Sequence, residues 1–525
     1  MHNWRDYLLL TTLGLVIAGG IAWFQRSPGY MDADYYFAGG LQLANGKGFS
    51  EPYLWNYLDN PGGLPHPSNA YWMPLASIIA AVGMVIFRQT TWSAARIGFL
   101  IIASLIPPIT YKLTYSLTDK RNLALLSGFI ALFSGFYSVF IPVTDTFGIY
   151  MLLGGLFFLV AFRQNNNWRN LIMGLIAGLM HFARADGILW LFFSFLVVIY
   201  IPIKIKSDSK SLLHVILGLI ICLVGYLGIM GPWFIRNELV FGSFLAPGGQ
   251  SMFWLTDYNQ IFSFQPNLIT FNAWLQNGLD KAVKVRLWAL NINFQNTLAS
   301  QGSIFLFPLI LIGIWKRRKD QLIKIACIAW LTYLVLMSIV FPFAGARGGF
   351  FHSGAAFQPL WWVLASIGLA GLVKTVGLKR KWNIEKASKV FMVGAAGLSI
   401  MLTVLIVIGK IYSPKEGWNN WSSESSLYHE VTNILKNSGD SEKPTVIVSN
   451  PPGFYLESGL NSIAVPDGDE TNTYSVAQKF DANYLILENG AFPEGLNSLF
   501  RNPTNYPDFQ LVGKVDGTLV FKIEP

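Results

Sequence analysis

Directly after the first apolar run stands "GYMDADYYFAGGLQLANGKGF", residues 29–49, which sets Asp32 and Asp34 beside Tyr35 and Tyr36. Ionisable groups near membrane depth are costly and mark functional sites. Similar settings recur along the chain: His66 in "LPHPSNAYWMPL", Asp145 in "IPVTDTFGIY", and His181, Arg184 and Asp186 in "HFARADGILW". Arg236 and Glu238 follow in "GPWFIRNELVFGSFLAP", then Arg347 and His352 in "FAGARGGFFHSGAAFQPLWW". Each stretch carries few charges, and those few stand at the ends of apolar runs. Gathered on one face, such groups suit transfer chemistry. A carboxylate takes the proton from an attacking hydroxyl. Arginine and histidine hold a phosphate as negative charge develops on it. A lipid-linked phosphate donor, its tail in the bilayer and its reactive carbon at the interface, brings that chemistry to the mouth of a span.

Plainer roles compete at each position. Asp32 and Asp145 also suit helix N-caps. Arg184 and Asp186 can close a turn as an internal ion pair, and Arg236 can anchor an interface beside Trp233. His352 can be a satisfied packing histidine, and Arg96 can snorkel to head groups.

The elements that must position these residues are membrane spans. The 525-residue chain is 53% hydrophobic and only 13% charged, with a mean hydropathy of +0.42. Globular domains carry about 25% charged residues. The composition therefore predicts an integral membrane protein with many spans. Apolar runs at 7–24, 93–117, 122–142, 144–162, 170–183, 187–203, 211–232, 303–315, 321–343, 355–373 and 390–411 give eleven candidate spans. The first has no small-residue cleavage site and reads as a retained span. Cys222 and Cys327 lie inside apolar runs, so no disulfide framework is indicated.

Seventeen Lys and Arg residues fall in alternate breaks between the runs. They are Lys120, Arg121, Arg163, Arg169, Lys204, Lys206, Lys210, 316–319, Lys374, 379–381, Lys386 and Lys389. The positive-inside rule places these breaks in the cytoplasm and the Gly-, Pro- and aromatic-rich breaks outside. The net charge of +9 is thus a topology signal and not a nucleic-acid footprint. The run 71–87 follows Pro65, Pro67 and Pro74 and ends at Arg88; it reads as an interfacial helix, which keeps residues 25–92 outside. The tail from 412 to 525 changes composition. "PTVIVSN" and "ANYLILENG" read as buried strands, "SSLYHEVTNILKNSGD" as an amphipathic helix, and "FQLVGKVDGTLVFKI" as a hairpin turning at Asp516-Gly517.

Several of these stretches together resemble the GT-C fold polyprenyl-phosphate-sugar glycosyltransferases, which include protein O-mannosyltransferases and lipid A aminoarabinose transferases. The likeness is carried by Asp32-x-x-x-Tyr36 followed by "LQLANGKGF", by "HPSNAYWMPL", by Asp145 in a short loop, by "RADG" at 184–187, by "PWFIRNELVFG" at 232–242 and by "RGGFFHSGAAFQP" at 347–359. It implies a polytopic α-helical membrane protein with juxtamembrane helices and a small soluble α/β domain. The catalytic membrane domain would cover 1–411, its first outer loop being 25–92, and the extracytoplasmic domain 412–525. The implied activity is inverting transfer of one sugar from a polyprenyl-phosphate carrier to an acceptor hydroxyl (glycan, lipid or protein) at the outer face of the plasma membrane. Asp32 would be the general base, with Asp34 and Asp145 completing the catalytic set. Arg347, His352 and Arg96 would hold the donor phosphate, and Tyr36, His66, Arg184 and Arg236 would contact substrate. No cofactor is expected; the minor alternative is a divalent ion on Asp32, Asp34 and Asp145, as in the oligosaccharyltransferase branch. The rival readings are a transporter or flippase of lipid-linked sugars, which would carry paired repeats, and a membrane scaffold displaying the tail.

Overall fold

The structure is a computed structural model and describes residues 4–163, 166–200, 209–415, 417–437 and 443–524. Lys204, Lys206 and the end of the expected tail helix, 438–440, lie outside the described residues. The chain divides into two compact units. The membrane unit comprises 1–24, 96–238 and 285–411; the loop-and-tail unit comprises 25–95, 239–284 and 412–525.

The membrane unit is helical, as its apolar runs dictate. Among the described residues, six helices of the chain are long and apolar enough to cross a membrane: Trp4–Phe24, Trp92–Thr118, Leu212–Phe241, Gln321–Val340, Gln358–Arg380 and Ile384–Ile411. Shorter helices occupy the other expected runs: Arg121–Leu132, Thr146–Ala161, Asn167–Ala183, Leu189–Tyr200 and Phe307–Lys316. The run 122–142 gives a helix only to Leu132, because Gly135 takes a positive φ of 62° and the chain continues in turns to Asp145. Helix Phe307–Lys316 starts late because Ser303 and Ile304 both have positive φ. Pro107 and Pro108 inside Ile97–Thr118 leave the Ala103 and Ser104 carbonyls without helical donors. Close backbone approach needs small residues between membrane helices. A Cβ on Gly313 would stand 2.1 Å from the Leu364 carbonyl oxygen. At one end of the unit, Asp6 accepts from both Nε and Nη2 of Arg121 (2.7 and 2.8 Å) and from Tyr111 (2.9 Å), tying three helices together.

The loop-and-tail unit is built around a sheet. Its strands are β1 (Ser50–Glu51), β2 (Tyr53–Leu54), β3 (His66–Pro67), β4 (Thr445–Val448), β5 (Ser462–Ala464), β6 (Ala482–Leu487), β7 (Phe509–Val515) and β8 (Thr518–Ile523). Among the described residues, β2-β5-β4-β6-β8-β7 form one six-stranded sheet and β1-β3 a small antiparallel pair. The expected hairpin is β7–β8: Val515 pairs with Thr518, and Asp516 (φ 44°) and Gly517 (φ 83°) make the two-residue turn, whose paired positive φ values favour Asp-Gly. The parallel pairing of β2 with β5 adds the first loop to the sheet of the tail. One face of the sheet is covered by helix Glu470–Phe480 and the other by Ser423–Asn437, and Ile447, Leu485 and Phe521 on one side and Val446, Tyr484 and Val520 on the other are almost fully buried. Helix Met31–Ala44 packs on helix Leu75–Phe87, where a Cβ on Gly40 would meet the Ala80 Cβ at 2.8 Å.

Candidate functional site

In the membrane unit, the chain turns into helix Thr146–Ala161 at Asp145, which is 1% exposed. One carboxylate oxygen caps that helix, accepting from the Thr146 backbone N–H and hydroxyl. The other, Oδ2, lies 3.2 Å from Nε2 of His352. Nδ1 of the same ring is 3.0 Å from the Gly348 carbonyl oxygen, and the ring stacks on Phe147 at 3.8 Å. A carbonyl oxygen only accepts, so Nδ1 carries a hydrogen. Nε2 faces a second oxygen acceptor.

The segment that delivers His352 is small-residue rich for a reason. "GARGG" at 345–349 is a wide helical turn broken by Arg347 (φ −88°, ψ 21°) and Gly348 (φ 120°). The positive φ suits glycine. The turn leaves Arg347 exposed while the next helix, Phe350–Gly354, buries His352 and Ser353. The Tyr137 hydroxyl donates to the Phe351 carbonyl at 3.0 Å, and the two rings stack at 4.4 Å.

The "RADG" turn joins this set through Ser353. Its hydroxyl donates to the Asp186 carboxylate, and the Gly349 carbonyl stands 2.8 Å away. Asp186 accepts from Nε of Arg184 at 3.0 Å, and the Asp186 carbonyl accepts from the Tyr333 hydroxyl at 3.0 Å. The Arg184 guanidinium lies over the Tyr150 ring, 5.8 Å from its centroid. Phe147 and Tyr150, one turn apart on a single helix, thus face the His352 ring and Arg184 respectively. The membrane unit brings together Asp145, Arg184 and His352 from the sequence-expected set. It adds Ser353, Phe147, Tyr150 and Tyr333, whose roles no sequence motif signalled. Arg96 donates to the Ala22 carbonyl at 2.6 Å, and Arg236 lies over Trp233 at 4.8 Å while donating to Asn237 at 3.1 Å.

In the loop-and-tail unit, Asp32 and Asp34 occupy the first turn of helix Met31–Ala44, where carboxylates meet the positive end of the helix dipole. Asp32 is half-buried and Asp34 buried. Asp34 accepts from Nδ2 of Asn450 at 2.8 Å, and Oδ1 of Asn450 caps helix Pro451–Ser458 by accepting from the Gly453 N–H at 3.1 Å. Position 453 must be small, since a Cβ there would stand 3.0 Å from the Asp34 carboxylate. Burial pushes the Asp34 carboxyl well above the usual range, and the negative charges of Glu424, Glu457 and Asp32 add to the rise; the Asn450 hydrogen bond opposes it. Burial and the neighbouring Glu488 push Glu424 up to about 7. The Tyr428 hydroxyl joins those two acids at 3.1 and 2.8 Å. Tyr36 is 2% exposed and packs its ring on Tyr35 at 5.7 Å. His66 is buried with Nε2 3.1 Å from Asp59 and Nδ1 3.8 Å from Glu51. Burial opposes its charge, yet the hydrogen bonds to Asp59 and Glu51 outweigh it and raise the imidazole to about 9. In both units the sequence signal was the ionisable residue alone; the partners Asn450 of Asp34 and Ser353 of Asp186 are uncharged polar residues far away in the chain.

The fold has solved counterparts. ArnT from Cupriavidus metallidurans, solved bound to undecaprenyl phosphate, matches with a TM-score of 0.58 at 12% identity, over 98% of this chain and 97% of that one. The archaeal oligosaccharyltransferase AglB from Archaeoglobus fulgidus, solved with an inhibitory peptide and a dolichol-phosphate, matches with a TM-score of 0.52 at 14% identity, over 92% of this chain and 69% of that one. The Archaeoglobus enzyme in complex with Zn and sulfate gives a TM-score of 0.52 at 13% identity, over 91% and 67%. No curated protein matches the chain. The chain is a multi-pass membrane protein with the GT-C fold. Residues 65–226 match the family model for dolichyl-phosphate-mannose-protein mannosyltransferase.

Within the membrane unit a divalent ion would find a carboxylate and an imidazole, Asp145 and His352, already facing each other at 3.2 Å. That pair supplies two ligands, short of the four a zinc ion takes.

Proposed function

We propose that the protein moves one sugar, with inversion, from a polyprenyl-phosphate carrier to an acceptor hydroxyl at the extracytoplasmic face of the plasma membrane. The observation that carries this reading is the His352–Asp145 pair, held beside the Arg184–Asp186–Ser353 set in a chain whose fold is that of lipid-phosphate-sugar enzymes. The imidazole, fixed between the Gly348 carbonyl and the Asp145 carboxylate, is positioned to contact a leaving phosphate as it gains negative charge. Arg347, exposed on the adjacent broken turn, adds a second cation for that phosphate. Asp32 takes the acceptor proton as general base, and Asp34, held toward its neutral form, orients its neighbour. The donor class follows the relatives: ArnT was solved with undecaprenyl phosphate and AglB with a dolichol-phosphate. Asp145 and His352 would give a divalent ion two of its ligands, and such an ion would supply positive charge for the phosphate. Transfer from a labelled polyprenyl-phosphate sugar by the purified protein tests the reading. Wild type should transfer and Asp32→Asn should not; equal transfer by both would remove the assigned base.

A further inference from the structure

We infer that residues 253–279 form a lipid-embedded plate that moors the loop-and-tail unit to the membrane. The segment has two sides. On one, Phe264 packs on Tyr57 at 5.9 Å and on Phe480 at 6.5 Å, and the Phe262 carbonyl accepts from the Asp467 N–H at 3.0 Å, so the segment is bonded into the sheet core. On the other, Trp254, Phe271 and Trp274 join ring to ring at 5.0–6.3 Å. Leu268, Phe271, Leu275 and Leu279 are 63%, 50%, 47% and 63% exposed, with Phe271 and Leu275 one turn apart on helix Phe271–Gln276. A contiguous apolar face of this kind marks an interaction site.

Its partner is a lipid surface. Residues 244–276, thirty-three in all, contain a single charged side chain, Asp257. A face that bound a glycan or a polar protein in water would offer more hydrogen-bonding and charged groups than this. The apolar exposure is also continuous along the chain with the spanning helix, whose last turn exposes Leu239 and Val240. Beyond the plate come Lys281 and Lys284, both exposed, Lys281 donating to Asn277 at 3.3 Å and Lys284 standing 3.6 Å from Asp280. Aromatic rings and basic residues at the edge of an apolar face are the signature of interfacial anchoring. The inference concerns the tail's attachment and stands whether or not the proposed transfer reaction is right.

The test places the photoreactive residue p-benzoyl-phenylalanine at 271 in the full chain, reconstituted in phosphatidylcholine–phosphatidylglycerol vesicles, with the same residue at exposed position 514 as the control. Mass spectrometry of the irradiated protein should find a phospholipid adduct on the peptide containing 271 and none on that containing 514. Three results would overturn the inference: no lipid adduct at 271, lipid adducts equally at both positions, or an adduct at 271 to a second protein copy or to added oligosaccharide instead of lipid.

Discussion

Nε2 of His352 stands 3.2 Å from Oδ2 of Asp145, while the other oxygen of the same carboxylate caps helix Thr146–Ala161. One side chain thus does two jobs, and substitution can separate them. Asparagine caps helices as well as aspartate, whereas alanine costs about 1 kcal/mol. Asp145→Asn should leave the thermal midpoint close to wild type yet lower transfer about 10²–10³-fold, the usual effect of losing one electrostatic contact to developing charge. Asp145→Ala should lose stability as well. Paired melting and single-turnover assays check both; full activity in Asp145→Asn would leave the residue as a cap only.

Asp32 and Asp34 share a helix turn but should answer differently to the same change. Asn at 34 mimics the protonated acid that burial favours there, and it keeps a partner for Asn450. Asp34→Asn should therefore fold and retain most of its transfer. Asp32→Asn should lose about 10²–10⁴-fold, the range for removing a general base. The ratio of the two turnover numbers is the measurement, and a greater loss at 34 would reverse the assignment.

The apolar runs and the charge breaks carried most of the fold, because bilayer thickness demands long apolar helices whatever their neighbours do. The hairpin at Asp516-Gly517 was equally plain, since its turn chemistry is local. Pairing of Tyr53–Leu54 with Ser462–Ala464 was not, for it joins two-residue and three-residue strands four hundred positions apart. The same holds in the candidate site. Asp145 and His352 stood out as charges in apolar surroundings, but their pairing bridges 207 positions. Ser353 and Asn450 carry no charge and sit in no pattern, so only the folded chain reveals that they hold Asp186 and Asp34.

His66 and Glu424 both predict stability that falls with rising pH, in different windows. The His66 imidazole is raised from 6.5 to about 9 by Asp59 and Glu51 against the pull of burial, so its stabilisation is complete below 6.5 and is lost as pH climbs through 9. Glu424 is raised from 4.5 to about 7 by burial and Glu488. The native protein keeps that proton where the unfolded chain releases it, so stability falls as pH rises from 4.5 to 7 and levels off above. His66→Gln should flatten the alkaline slope and lower stability by about 3–5 kcal/mol, because it strands two buried carboxylates. Glu424→Gln should flatten the acid-to-neutral slope and raise the midpoint at pH 7. Melting curves from pH 5 to 10 read both; unchanged slopes in the variants would show that neither group governs them.

Sidedness follows from charge placement and can be read directly. Lysines and arginines in the breaks around Arg121, Lys316 and Lys379 should face the cytoplasm, while Asp32 and Arg347 should face outside. A membrane-impermeant maleimide added to intact cells should label Asp32→Cys and Arg347→Cys and spare Lys379→Cys, with all three labelled after permeabilisation. Arg347 is exposed, so its cysteine is accessible; Asp32 is half-buried, and its slower labelling must be judged against the permeabilised sample. Labelling of position 347 but not 32, with position 32 reacting only after permeabilisation, would put the proposed base and the proposed phosphate holder on opposite faces of the membrane and end the transfer mechanism.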